Sequence, residues 1–150
     1  MTEDKEKYMR LALKEAKKAE ENGEVPIGCV IVKDGKVLAR AYNQRQKKRV
    51  VTAHAEILAI QKASKKIKDW RLDGADMYVT LEPCAMCAGA IAGARFKTVY
   101  FGAYEKKGGG ACSKFNILSE SGLNHVTSSE GGVMEEESSA LIKKFFKDRR

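Results

Sequence analysis

The chain has 150 residues, 43% of them hydrophobic, and a formal net charge of +8. That length suits a single domain spanning 1–150 with enough apolar material for a sizeable core. No apolar run is long enough to cross a membrane, the charged start Met1-Thr2-Glu3-Asp4-Lys5 lacks the apolar core of a signal peptide, and with Cys84 and Cys87 set aside as candidate metal ligands only Cys29 and Cys112 remain, too few for a disulfide framework. These features fit a reducing cytosol, and a cytoplasmic location is expected.

Taken in order, the predicted elements alternate between helix and strand. Met9, Ala12, Leu13, Ala16 and Ala19 form one helical stripe, and Gly23 is a stop signal. Ile27 to Val32 and Val37 to Tyr42 read as strands, with Asp34-Gly35 between them as a hairpin turn. A helix opens near Thr52 to His54, carried by Ile57, Leu58, Ile60 and Ala63. Met77 to Leu81 is a strand that delivers the chain to Pro83, a residue favoured in the first turn of a helix. Thr98 to Phe101 is a further strand, Lys106 to Ala111 a glycine-rich loop, and Val126-Thr127 a short last strand. Met134 to Phe146 closes the chain as a helix with Met134, Leu141, Ile142, Phe145 and Phe146 as its apolar set. The order predicts an α/β fold, a single mixed sheet with helices on both faces.

Two motifs carry the chemistry: His54-Ala55-Glu56, and further on Pro83-Cys84-Ala85-Met86-Cys87. One imidazole and two thiolates suit a catalytic zinc, which takes three protein ligands and leaves its fourth position to water or substrate. Cys84 and Cys87 stand at i and i+3, on one face of the predicted helix, and two helix starts converging on the metal favour thiolate over thiol. A carboxylate two residues after the His is placed to move protons without ligating, so Glu56 is the candidate catalytic acid/base. H-x-E followed by P-C-x-x-C is the established signature of zinc nucleobase deaminases. Other readings stand beside it. The C-x-x-C could be a redox pair, or half of a structural zinc site completed by Cys29, Cys112 or His125. Glu56 argues against both, because neither has use for a free carboxylate beside the metal.

The charge points to a polyanion, since basic residues that neutralise phosphates release counterions. It clusters at Lys47-Lys48-Arg49 and at Lys143, Lys144, Lys147, Arg149 and Arg150. A solvated surface is the plainer alternative. Gly108-Gly109-Gly110 lacks the G-K-[ST] ending of a phosphate loop, so a flexible loop is expected and no nucleotide cofactor. Trp70 is expected to pack under the loop before the Met77 strand, Cys29 to be a core residue, and Cys112 to be a loop thiol without a role.

Over nearly its whole length the sequence resembles the bacterial-type tRNA-specific adenosine deaminases. The resemblance is carried by Gly23-Glu24-Val25-Pro26-Ile27-Gly28, Asn43, Thr52-Ala53-His54-Ala55-Glu56-Ile57, Trp70-Arg71-Leu72, and Tyr78 through Ala90. It continues in Phe101-Gly102-Ala103, Asn124-His125 and Phe145-Phe146-Lys147. The metal motifs belong to the whole superfamily, whereas Asn124-His125 and the Phe-Phe with its basic tail point to the tRNA branch. The resemblance implies a three-layer α/β/α cytidine-deaminase-like fold, one Zn2+ per chain on His54, Cys84 and Cys87, and a homodimer. It also implies a tRNA anticodon stem-loop as partner, with Asn43 on the flipped base or its ribose and Glu105, Asn124 and His125 on neighbouring nucleotides. The chain departs from the family pattern at Val50-Val51, where Asp-Pro is usual, at Glu105, where Asp is usual, and at Ala94, where Ser is usual. A deaminase of a free base or nucleoside, of guanine or cytosine type, is the alternative. A non-catalytic RNA-binding or redox protein is the third reading.

Overall fold

The computed structural model describes residues 2–119 and 125–148. Among these residues the order is α1 (Thr2–Glu21), β1 (Gly28–Lys33), β2 (Lys36–Tyr42), α2 (Arg45–Lys48), α3 (Ala55–Ile67), β3 (Asp76–Leu81), α4 (Ala85–Gly93), β4 (Thr98–Ala103), β5 (Ser128–Glu130) and α5 (Glu135–Asp148). The strands form one sheet in the order β2-β1-β3-β4-β5. β1 pairs antiparallel with both β2 and β3, while β3, β4 and β5 run parallel. The sheet is therefore mixed, and α4 is the crossover that a parallel β3–β4 pair requires.

Local sequence explains most of these elements. The stripe Met9, Ala12, Leu13, Ala16 and Ala19 is buried along α1. The helix stops before Gly23, whose φ of 76° a residue with a Cβ rarely adopts. Asp34 and Gly35 both take positive φ, 51° and 74°, which is the primed turn that matches the twist of a two-residue hairpin. Along β1, Cys29 and Ile31 face one side of the sheet and Val30 and Val32 the other, so the strand is buried on both faces.

Those two faces are the two halves of the core. Ala55, Ala59 and Ala63 of α3 and Ala88 and Ile91 of α4 pack on Cys29, Ile31, Met77, Val79, Val99 and Phe101. On the opposite face, Met9, Ala12 and Leu13 of α1 and Leu141 of α5 pack on Val30, Val32, Tyr78 and Tyr100. Tyr78 lies between Tyr8 and Tyr100, with ring centroids at 5.2 and 4.8 Å. The expected arrangement of helices on both faces of a mixed sheet is present.

Three expectations need correction, and one element gave no signal in the sequence. Val126-Thr127 is not a strand. The last strand is Ser128–Glu130, an exposed edge without apolar alternation, and docking on β4 fixes its place rather than β-propensity. Trp70 does not pack under its loop. It is 60% exposed, and the fully buried Leu72 fills that position. Pro83 lies just outside helix α4, because Cys84 is the N-cap. The turn α2 was not foreseen, since four residues, RQKK, have no buried face to give a periodic signal.

Candidate active site

The carboxyl ends of the parallel strands β3 and β4 lie at one end of the sheet, where open α/β sheets place their sites. Two helix starts meet there. His54 is the N-cap of α3 and Cys84 the N-cap of α4, both in extended backbone conformation, and Cys87 follows at the third helical position. His54 Nδ1 stands 3.8 Å from Cys84 Sγ and 3.6 Å from Cys87 Sγ. The three ligand atoms all lie within 4.8 Å of one another and could hold a metal ion. Cys29, Cys112 and His125 do not join them, and among the described residues no fourth protein ligand completes a closed structural site.

The electrostatics follow from this crowding. Cys84 is the acidic thiol. The Cys87 side chain hydrogen-bonded to it outweighs burial and, with His54, brings it down to about 4. Cys87, facing that sulfur from a buried position, is pushed up. The Cys84 contact raises His54 above its ordinary value. Glu56, in the first turn of α3, is 4% exposed, and burial lifts its carboxyl to about 7. A carboxyl in that range can both give and take a proton near neutrality.

These groups open into a cleft of about 210 Å3, whose wall includes Asn43, Arg45, His54, Glu56, Cys84 and Glu105. Ile142 and Phe146 of α5 close one side, so the exposed Phe146 is exposed toward the cleft. Asn43 is buried at the end of β2, and its Oδ1 accepts from Arg45 N at 3.3 Å. The turn role common for Asn at a strand end and a place on the cleft wall coincide in this one residue.

Three residues in or beside the cleft had no assigned role in the sequence. Arg45 lines the cleft at the start of α2. Glu24, buried, receives Gln46 N at 3.1 Å and Lys47 N at 2.8 Å and so caps α2 in place of its N-cap residue Gln44. Glu82 is buried between β3 and α4. Burial alone would raise its carboxyl, but the Ser113 hydroxyl and the N–H groups of Ser113, Cys112 and Glu105 hold it below the ordinary carboxylate range. The signal in each case was a carboxylate or guanidinium within or beside a quoted motif, and the partners of Glu24 and Glu82 lie far along the chain.

Of the residues expected to bind substrate, the structure brings Asn43 and Glu105 together in the cleft. His125 lies elsewhere, with its Nε2 2.7 Å from Phe96 O, before the start of β4 and so at the opposite end of the sheet. Asn124 lies outside the described residues, as do Arg149 and Arg150 of the basic tail. Lys47, Lys48 and Arg49 on and beside α2, and Lys143, Lys144 and Lys147 on α5, belong to the two elements that flank the cleft. Cys29 is fully buried and Cys112 is an exposed thiol, as expected.

A three-ligand metal group beside a buried carboxyl, on this fold, defines a deaminase of the cytidine-deaminase-like class. The family model of the MafB19-like deaminases matches residues 3–150. The tRNA-specific adenosine deaminase of Bacillus subtilis (strain 168) is 50% identical over 150 residues, 100% of this chain and 92% of the relative. A structure from "Biochemical and Structural Studies of A-to-I Editing by tRNA:A34 Deaminases at the Wobble Position of Transfer RNA" is 46% identical, with a TM-score of 0.87 and coverage of 89% of this chain and 97% of that one. An X-ray structure of guanine deaminase from Bacillus subtilis is 37% identical, with a TM-score of 0.64 and coverage of 75% of this chain and 71% of that one. The chain belongs to the tRNA-specific adenosine deaminase family. Among the described residues, no helix is long and apolar enough to cross a membrane.

Proposed function

We propose that this chain hydrolyses the wobble adenosine of a tRNA anticodon loop to inosine and ammonia, using one zinc ion per chain. The observation that carries the reading is the union, in one cleft, of a three-ligand metal group and the buried carboxyl of Glu56. Zinc fits the donors. Metal–nitrogen and metal–sulfur bonds of about 2.0–2.1 and 2.3 Å at tetrahedral angles imply N···S separations of about 3.6 Å. The observed separations are 3.6 and 3.8 Å. Bound to His54, Cys84 and Cys87, zinc supplies water of lowered pKa as the nucleophile.

Glu56 moves the protons. It takes a proton from the attacking water and gives it to the ring nitrogen beside the carbon under attack, then carries the proton of the newly added hydroxyl to the exocyclic amine, which leaves as ammonia. Asn43 presents an amide to the base or its ribose, and Glu105 meets the neighbouring nucleotide across the cleft. The substrate base must leave its stack to enter, which costs least in a loop. The cations lie on or beside α2 and α5, the elements that also carry Arg45, Ile142 and Phe146 of the cleft wall, and suit the phosphates of that loop better than a free base, which offers them no charge. A second copy of the chain, as a homodimer, completes the reading.

The test is direct. The purified protein is incubated with anticodon stem-loops, full tRNA, free guanine and free cytosine, and the products are separated by mass. Inosine in the RNA, with one zinc per chain by metal analysis, is the expected result. Xanthine or uracil without inosine would transfer the site to a free base, and a protein that binds no zinc would remove the metal assignment.

A further inference from the structure

Glu82 follows β3 two residues before the first cysteine ligand, and it is 2% exposed. A carboxylate removed from water needs its oxygens occupied. The partners come from a single segment, residues 105–113. Oε1 accepts from Glu105 N at 3.1 Å and from the Ser113 hydroxyl. Oε2 accepts from the N–H groups of Ala111, Cys112 and Ser113 at 3.2, 2.8 and 2.9 Å. Three successive N–H groups converging on one oxygen make a nest, the backbone device that elsewhere holds a phosphate. Here the anion in the nest belongs to the chain itself.

One glycine of this loop, Gly109, thereby acquires a reason. A Cβ on Gly109 would collide with the Glu82 carboxyl and would stand 2.5 Å from Glu105 O. The same segment is tied to the start of α4, where Gly109 pairs with Cys84 and Gly110 N donates to Pro83 O at 2.6 Å. Glu105, the first residue of the segment, lines the cleft.

We propose that Glu82 is a positioning residue for substrate. Its carboxylate folds segment 105–113 into the cleft wall and so sets where Glu105 meets the RNA loop, while proton transfer stays with Glu56. The link to RNA rests on the function proposed above; the folding of the loop does not. Glu82→Gln keeps the shape but turns an NH2 group, a donor, toward N–H donors. Ser113→Ala removes one hydrogen bond and leaves the carboxylate in place.

The first readout is limited trypsin digestion of the full chain, read by mass. Lys106 and Lys107 are exposed within the segment and Lys114 follows it. Cleavage at these three is expected to accelerate roughly tenfold or more in Glu82→Gln and by less in Ser113→Ala, as local opening follows the number of hydrogen bonds removed. Circular dichroism and zinc content are expected to stay those of the wild type. The second readout is steady-state kinetics on an anticodon stem-loop. KM is expected to rise roughly ten- to hundredfold, as misplaced binding groups do, with kcat unchanged and Glu82→Asp intermediate. Wild-type protection of the loop in Glu82→Gln would overturn the proposal. So would loss of zinc with the loop still protected, which would make Glu82 a support of α4, or an unchanged KM with the loop opened. If Glu82→Gln fails to fold, Ser113→Ala decides by the same two readouts. If the wild type acts on no RNA, the function proposed above fails, and the digestion still decides whether Glu82 folds the loop.

Discussion

The two ends of the sheet handle polar groups in opposite ways. At the cleft end, Glu24, Asn43, Glu56 and Glu82 are all buried, and backbone N–H groups satisfy Glu24 and Glu82. At the other end, Trp70 is open to solvent between the guanidiniums of Arg71 and Arg95, at 5.6 and 5.7 Å. His125 is spent on a backbone carbonyl, and Asp76 keeps one oxygen without a hydrogen-bond partner. Burying a carboxylate is expensive unless donors surround it. The cleft end meets that condition repeatedly, and it is where the chemistry sits. The far end carries most of its charges in water, where they cost little and do little.

The strongest way to break this contrast is at Glu56. Glu56→Gln keeps the side-chain volume and leaves the three ligand positions untouched, so zinc and fold should remain. Turnover should fall by roughly 10²–10⁴ for the loss of general acid/base catalysis, and the two proton transfers assigned to this carboxyl favour the upper end. Product formation by mass, beside metal analysis of the same sample, checks it. Activity near wild type would mean that another group moves the protons, and that burial of Glu56 serves only packing.

A smaller effect sharpens the contrast through charge. Neutral residues at Lys47, Lys48, Arg49, Lys143, Lys144 and Lys147 should weaken binding of the stem-loop. They should flatten the plot of log K against log salt by roughly 0.7–0.9 for each phosphate that is no longer neutralised. Neutralising Lys65, Lys66 and Lys68, at the far end of α3, should leave the slope unchanged. Binding isotherms at several salt concentrations separate the two sets. Equal slopes for both would reduce the cations around the cleft to a solvated surface.

The same contrast explains what the sequence could and could not reveal. His54, Glu56, Cys84 and Cys87 were legible because each half of the site is a short motif on one helix start, where spacing alone fixes geometry. The strands and long helices were legible because period-2 and period-3.6 burial are local signals, and Asp34-Gly35 named its own turn. What stayed hidden depends on partners distant in the chain. Glu24 acts on residues 46 and 47, and Glu82 on residues 105–113. No periodicity reports either. Trp70 misled for a related reason. Its bulk suggested burial, but the core position beneath that loop is taken by Leu72, and only tertiary packing shows which of the two points inward. Asn43 was expected on the flipped base or its ribose and His125 on a neighbouring nucleotide; the first lines the cleft, and the second binds the carbonyl of Phe96.

The smallest effect tests the far end directly. Asp76 is half-buried at the start of β3, and its carboxyl is raised above the ordinary value, first by burial, with Lys97 and the Thr98 N–H opposing. A raised folded-state pKa means that the ionised form is the one folding disfavours. The contribution of Asp76 to stability is therefore greatest below its unfolded pKa and declines as pH rises through the folded value. Asp76→Asn removes that ionisation at every pH. The variant should be more stable than wild type near pH 7, by less than roughly 1 kcal/mol because solvent screens a group this open. The difference should vanish below about pH 4, where the wild-type carboxyl is neutral as well. Denaturant unfolding at a series of pH values measures it. A variant less stable than wild type at pH 7 would show that the attraction of Lys97 outweighs desolvation, and that the far end, too, partners its buried charge.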